Sequence, residues 1–271
     1  MKRIAKKRHP VVLGLAGLAL VSLLLAGCAN PDGPNLPAAV PEIAPGILQG
    51  YLASESLPDS LALIPPPPAE GSAALARDEE ASRKGLTQRG TPRWDQAVKD
   101  ADLAFPAAAD AFTRALGFEV TEAGTPHLYM LLRRTLADAG FSTYHAKNHY
   151  TRARPFMRNN EPICTPEDEE GLRKDGSYPS GHTAIGWAWA LILCEVVPEH
   201  TDAILARGRA FGQSRVVCNV HWQSDVDEGR IMGAAAVARL HADEGFRREL
   251  EEAKREVAGI RRRVGASNTG E

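Results

Sequence analysis

Three short stretches carry residue types that suit work on an anion. The segment KNHYTRARP sets Lys147 and Arg154 seven residues apart. That spacing is close to two helical turns, so one helix would carry both cations on one face. Pro155 restricts Arg154 and is expected to end that helix. Arg152 and Arg158, in the same neighbourhood, read as ordinary solvated charges. The second stretch, GSYPSGHT at 176–183, opens an apolar run, AIGWAWALILCEVV. Pro179 fixes its entry, Ser180 can cap a helix, and Gly181 lets a ligand approach the backbone. The amides of a first helical turn bind anions, with His182 beside them as a proton donor near neutral pH. The third is QSRVVCNVHWQSDVDEGR. Ser214 offers a hydroxyl and Arg215 a fork-shaped cation suited to phosphate oxygens. His221 and Asp225 are at i,i+4, so a helix would bring carboxylate and imidazole together and leave one ring nitrogen free as a nucleophile.

Each stretch alone has a plainer reading: a basic surface stripe, a packed histidine behind a serine cap, a buried His–Asp pair. Together they are complementary. Three cations, an anion-binding helix start, one candidate acid and one carboxylate-supported nucleophile fit a single chemistry. Trp222 and Asp227 read as structural.

The elements that must position these residues read as helices. SAALARDEEASRKGL, DQAVKDADLAFPAAADAFTRALG and TPHLYMLLRRTLADAGFSTYHAKNHYTRAR carry apolar residues at three- and four-residue spacing. TDAILARGRAFGQSRVV and DVDEGRIMGAAAVARLHADEGFRRELEEAKREVAGIRRR complete the set. No period-two strand and no internal repeat stands out, so the expected fold class is all-α. The alternating charges of FRRELEEAKREVAGIRRR are expected to form a solvated helix face.

The start of the chain has a different character. Lys2, Arg3, Lys6, Lys7 and Arg8 precede the apolar run VVLGLAGLALVSLLLAG, which ends in LAGC at Cys28. This is the layout of a secretory leader, and LAGC resembles the lipobox of bacterial lipoproteins. An uncleaved anchor is the alternative, although the run is short for a full span. Loss of the five cations would take the formal net charge from −2 to −7, which gives no reason to expect a nucleic-acid binder. The expected organisation is a leader at 1–27, a Pro- and Gly-rich flexible tether at 28–50, a catalytic domain at 51–265 and a disordered tail at 266–271. Three cysteines remain after Cys28. Cys194 lies in an apolar run and is expected to be a buried small residue, while Cys164 and Cys218 can either pair or stay free.

Lys-x6-Arg-Pro, Pro-Ser-Gly-His and Ser-Arg-x5-His-x3-Asp resemble the tripartite signature of the PAP2 phosphatase superfamily. Lys147, Arg154, Pro155, Pro179, Ser180, Gly181, His182, Ser214, Arg215, His221 and Asp225 fill every fixed position. GSYPSGHT, GQSR and HWQSDVD, with LPDSLALIPPPPA nearer the N-terminus, look like the class A bacterial non-specific acid phosphatases. The resemblance covers nearly all of the chain after the leader. It implies a helical bundle that hydrolyses phosphate monoesters through a phosphohistidine. His221 is then the nucleophile, Asp225 its support and His182 the general acid and base. Lys147, Arg154, Arg215, Ser180 and the Gly181 amide hold the phosphate. The resemblance further implies no metal and no cofactor, phosphotransfer to other alcohols as a side activity, a homo-oligomer and a periplasmic location. The lipobox adds lipidation at Cys28, and Ala29 after it leans towards the outer membrane. Rival readings are a lipid phosphate phosphatase, a vanadium haloperoxidase and a non-catalytic phosphate-binding lipoprotein. Lipid phosphate phosphatases normally carry the motifs on membrane spans, and the sequence after residue 28 has no such span.

Overall fold

The computed structural model describes residues 36–268. The expected leader, the lipidation site Cys28 and the first part of the tether lie outside the described residues. The chain begins with a hairpin, β1 (Glu42–Ala44) and β2 (Ile47–Leu48), turned at Gly46. Helices follow: α1 (Ser60–Leu63), α2 (Ala73–Leu86), α3 (Pro92–Lys99), α4 (Thr113–Leu116), α5 (Pro126–Phe141), α6 (Tyr144–Tyr150), α7 (Pro155–Asn159), α8 (Glu169–Arg173), α9 (Gly181–Val196), α10 (Thr201–Val217), α11 (Gln223–Leu240) and α12 (Glu244–Asn268). The expected helical bundle is present. Among the described residues no helix is long and apolar enough to cross a membrane.

Helix α9 is the axis of the bundle, with α10, α11 and α5 packed around it and α12 lying across α5 and α9. Its sequence is apolar or small on nearly every face, which suits a helix surrounded by others. Trp189 is fully buried there, and its indole N–H donates to the Leu132 carbonyl at 3.0 Å. Helix α11 approaches closely because it presents glycines. A Cβ on Gly229 would stand 2.6 Å from the Ser180 carbonyl oxygen, and one on Gly233 2.5 Å from that of Ala184. This approach brings the start of α11, which bears Asp225, against the start of α9, which bears His182. On its other face, α12 buries Phe246, Leu250, Ala253 and Val257 in the core, so only part of it is the solvated face read from its charges.

The helical segments read from periodicity are cut in four places, one of them the turn at 241–243 that separates α11 from α12. The stretch 95–117 is not one helix. It leaves α3 at Lys99, passes Phe105-Pro106 in a loop and resumes as a 3₁₀ turn over Ala107–Phe112 before α4, because Pro106 has no N–H for a continuous helix. The stretch 125–154 breaks twice. Ser142 and Thr143 return their hydroxyls to the carbonyls of Ala139 and Gly140 and separate α5 from α6. Helix α6 then stops at Tyr150, with Thr151 left-handed at φ 41°. Pro155 therefore does not end a helix; it begins α7 as its first residue.

The tether expectation fails for its last part. Leu48 is buried, Arg134 of α5 donates to the carbonyls of Gln49 and Gly50, and Asp138 accepts from the amides of Tyr51 and Leu52, both at 2.9 Å. The hairpin is thus stapled to α5 by two polar residues one helical turn apart. Helix α12 also runs past the expected boundary at 265, to Asn268.

Candidate active site

All three motifs meet at one end of α9, around a cavity of about 220 Å³. Lys147, Arg154, Gly181, His182 and His221 line its floor, and Leu103, Leu136, Phe141, Tyr144 and Ile185 its walls, with Ile47 of the hairpin at its edge. The cations do not converge by sharing a helical face. Lys147 is on α6, whereas Arg154 is the extended residue preceding α7. They are drawn together by the loop before α9. Lys147 Nζ donates to the Gly176 carbonyl at 2.6 Å and to Asp175 Oδ2 at 3.1 Å. Arg154 Nη2 donates to the same Asp175 Oδ2 at 2.9 Å, and Arg154 Nε to the carbonyls of Leu172 and Asp175.

Arg215 differs from both. It is 1% exposed, yet its Nε and Nη1 have no hydrogen-bond partner in the protein. Two buried guanidinium donors without acceptors are costly, at about 1–3 kcal/mol or more each, unless an anion satisfies them. Burial and the neighbouring Arg154 push Arg215 down to about 10, which leaves it charged at any physiological pH.

The histidines sit on either side of these cations. His221 is not inside a helix. It precedes α11, and Asp225 reaches back from the first turn, with Oδ2 3.2 Å from His221 Nδ1 and 2.8 Å from the Trp222 amide that donates to it. An Nδ1–H tautomer satisfies this carboxylate and leaves Nε2 with its lone pair, 3.1 Å from Arg154 Nη1. Burial, then Arg154, Lys147 and Arg215, hold His221 well below the usual imidazole range, so it is neutral and can act as a nucleophile. Burial against solvent raises the Asp225 carboxyl to about 6. His182 is in the first turn of α9, and its Nε2–H donates to the Ala101 carbonyl at 2.9 Å. Burial and Arg215 depress it as well, so it is neutral when no anion is bound. Burial and Arg154 bring Lys147 down to about 8.

Two expected phosphate ligands are engaged elsewhere. The Ser180 hydroxyl is the N-cap of α9 and accepts from the Thr183 amide and hydroxyl, at 3.3 and 2.9 Å. Ser214 does not face the cavity. Its hydroxyl bonds to Asp100 Oδ2 at 2.5 Å and accepts from Arg93 at 2.9 Å, so it braces α10 against α3. The Gly181 amide lies in the first turn of α9, whose N–H groups have no intrahelical acceptor, and Gly181 lines the cavity.

Sequence reading missed three residues here. Arg152 is largely enclosed, not solvated, with its side chain 9% exposed: it donates to Asp225 Oδ1 at 2.6 Å and to Asp78 Oδ2 at 2.8 Å. Arg158 is exposed and pairs with Glu70, as expected of a surface charge. Asp175 carried no signal beyond its place just ahead of GSYPSGHT. Asp78 did carry one: Leu75, Asp78, Ser82 and Gly85 form the buried stripe of α2, and an acid in such a stripe needs a cation. Cys164 and Cys218 are disulfide-bonded, fastening the loop after α7 to the end of α10. Cys194 is free and half-buried, where a buried small residue was expected.

Residues 127–248 match the family described as PAP2 superfamily. The chain is 48% identical over 213 residues to a non-specific acid phosphatase of Providencia stuartii, an alignment covering 78% of this chain and 86% of the relative. It is 44% identical to an acid phosphatase of Zymomonas mobilis, over 75% of this chain and 77% of that one. A non-specific acid phosphatase of Salmonella typhimurium is 42% identical, over 78% and 84%.

Proposed function

The chain belongs to the PAP2 superfamily and is an acid phosphatase, and from that premise we propose that it hydrolyses phosphate monoesters through a phosphohistidine on His221, without a metal ion. The observation that carries the reading is Arg215, buried with two partnerless donors beside two neutral histidines. A phosphate dianion satisfies those donors. It also accepts from Lys147, Arg154 and the Gly181 amide, so the three cations supply the charge that a divalent ion would otherwise bring.

His221 Nε2 attacks phosphorus as the bond to the ester oxygen breaks, and Asp225 stabilises the charge developing on the ring. The leaving oxygen takes a proton from His182. With Nε2 committed to Ala101, the nitrogen available for that proton is Nδ1. His182 then removes a proton from water, which attacks phosphorus, breaks the P–N bond and releases phosphate. An alcohol in place of water gives phosphotransfer. His182 is neutral in the empty site, so it takes up a proton from solvent as substrate binds, because the dianion offsets the cations that depress the ring. This requirement favours an acidic optimum. The leader and the Cys28 lipobox lead us to propose a periplasmic, lipid-anchored enzyme, and the motif resemblance to class A acid phosphatases a homo-oligomer.

The test is hydrolysis of p-nitrophenyl phosphate in excess chelator near pH 5 to 6. Wild type is expected to turn over and His221→Ala to be inactive. His182→Ala should keep part of its rate on this good leaving group and lose far more on an alkyl phosphate. Equal losses in the two variants, or a wild type silenced by chelator, would overturn the assignment.

A further inference from the structure

The carboxylate that supports His221 is itself held by residues outside the fixed positions of the three motifs. Asp225 is fully buried. Its Oδ2 serves His221 and the Trp222 amide, while its Oδ1 faces Arg152 Nη1 at 2.6 Å. Arg152 in turn is fixed from three directions. Asp78 Oδ2 accepts from its Nη2 at 2.8 Å and the Ser224 hydroxyl from its Nη1 at 2.8 Å, and the ring of Trp222 lies 5.4 Å from the guanidinium. Asp78 is locked as well, accepting from the Ser224 amide at 2.8 Å and hydroxyl at 2.6 Å. Asp78 stands on α2, ahead of the segment 127–248 that matches the superfamily.

Resting on the phosphohistidine reading above, we propose that Arg152, clamped by Asp78 and Ser224, is the positioning residue that favours the ionised form of Asp225 and aims it at His221 Nδ1. The physical need is plain. A carboxyl buried this fully protonates in the acidic range where the enzyme works, and a protonated Asp225 neither fixes the ring tautomer nor stabilises a charged imidazole. An adjacent guanidinium opposes that protonation. The other charged and titratable groups facing the pair are Lys147, Arg154, Arg215 and His182 on the cavity side, with Asp175, Tyr178 and Glu228 around them. Arg152 is the cation bonded directly to Asp225. Arg152 touches no phosphoryl oxygen in this scheme, so its loss should spare substrate binding.

The experiment compares Arg152→Gln and Arg152→Lys with wild type in kcat, KM and pH profile on p-nitrophenyl phosphate. In Arg152→Gln kcat is expected to fall roughly 10- to 100-fold, with KM held within about twofold. Removing a cation raises the pKa of both Asp225 and His221, so the acidic limb of kcat should move up by about one pH unit. Arg152→Lys keeps the charge but cannot span both carboxylates. It should return the limb towards the wild-type position while recovering only part of kcat. An unchanged kcat in either variant, or a fall in kcat with a rise in KM and an unmoved limb, overturns the proposal. Nitrogen-15 NMR of the His221 ring supplies a readout that needs no turnover. Wild type should show the Nδ1–H tautomer and Arg152→Gln a mixture, whereas an unaltered tautomer refutes the relay. A wild type without phosphatase activity would instead refute the functional reading and leave the relay to the NMR result.

Discussion

Replacing both Cys164 and Cys218 by serine should cost about 4 kcal/mol of stability. The bond joins residues 54 apart in the sequence. In the chain-entropy account, closing a loop of that length removes about 14 cal/mol/K from the unfolded ensemble, or ~4 kcal/mol at 25 °C. In the folded protein little else should change, because the two segments are also tied by the Cys164 amide donating to the Cys218 carbonyl and the Phe156 amide donating to that of Asn219. The assay is urea unfolding of the oxidised protein and of the double variant, followed by far-UV circular dichroism. With a slope near ~2.5 kcal/mol/M, the midpoint should fall by roughly 1.5 M. The site should feel the loss as well. Cys218 caps α10 three residues ahead of His221, and the Val220 carbonyl between them receives Arg154 Nη1 at 3.0 Å, so kcat should fall at temperatures where the variant is still folded. A midpoint within about 0.4 M of wild type, equivalent to ~1 kcal/mol, would refute the reasoning, because the bridge would then not be constraining the unfolded chain.

Phosphate should bind with uptake of a proton near pH 6, since its charge offsets the cations that join burial in depressing His182; calorimetry in two buffers of different ionisation enthalpy should give different apparent heats, and identical heats would count against the general-acid role. Without phosphate, His182 and His221 contribute stability that is present above their unfolded value of 6.5 and lost as pH falls towards their lowered folded values. Asp225, raised to about 6 from 3.8, has the opposite sign: its contribution is present below 3.8 and lost as pH rises through about 6. Denaturant titrations of His221→Gln and Asp225→Asn from pH 4 to 8 should separate the two trends. Gly229→Ala places a methyl against the Ser180 carbonyl and should cost about 1–3 kcal/mol, with a parallel loss of kcat as the start of α9 shifts; wild-type melting and turnover would mean that α11 can yield.

Much of this protein is determined by its sequence alone, because the responsible signals are local. An apolar helix entered through Pro-Ser-Gly-His reads as a buried helix, and only beside the other two motifs does its mouth read as an anion site. The i,i+4 spacing of His221 and Asp225 brings their side chains together, although at the start of α11 and not within a helix. The residue types of the three motifs, cationic, acidic and nucleophilic, state their chemistry without coordinates. Tertiary structure decided what depends on partners far away in the chain. Lys147 and Arg154 meet through the carbonyls and carboxylate of the 172–176 loop, since left-handed Thr151 breaks the helix that was expected to align them. Whether Ser180 and Ser214 bind phosphate or brace helices depends on which acceptors and donors the fold brings to their hydroxyls. Arg152 looked like a surface charge until α2 carried Asp78 to it across 74 residues. Buried charge is settled by pairing, and pairing over such a distance is a property of the packed chain.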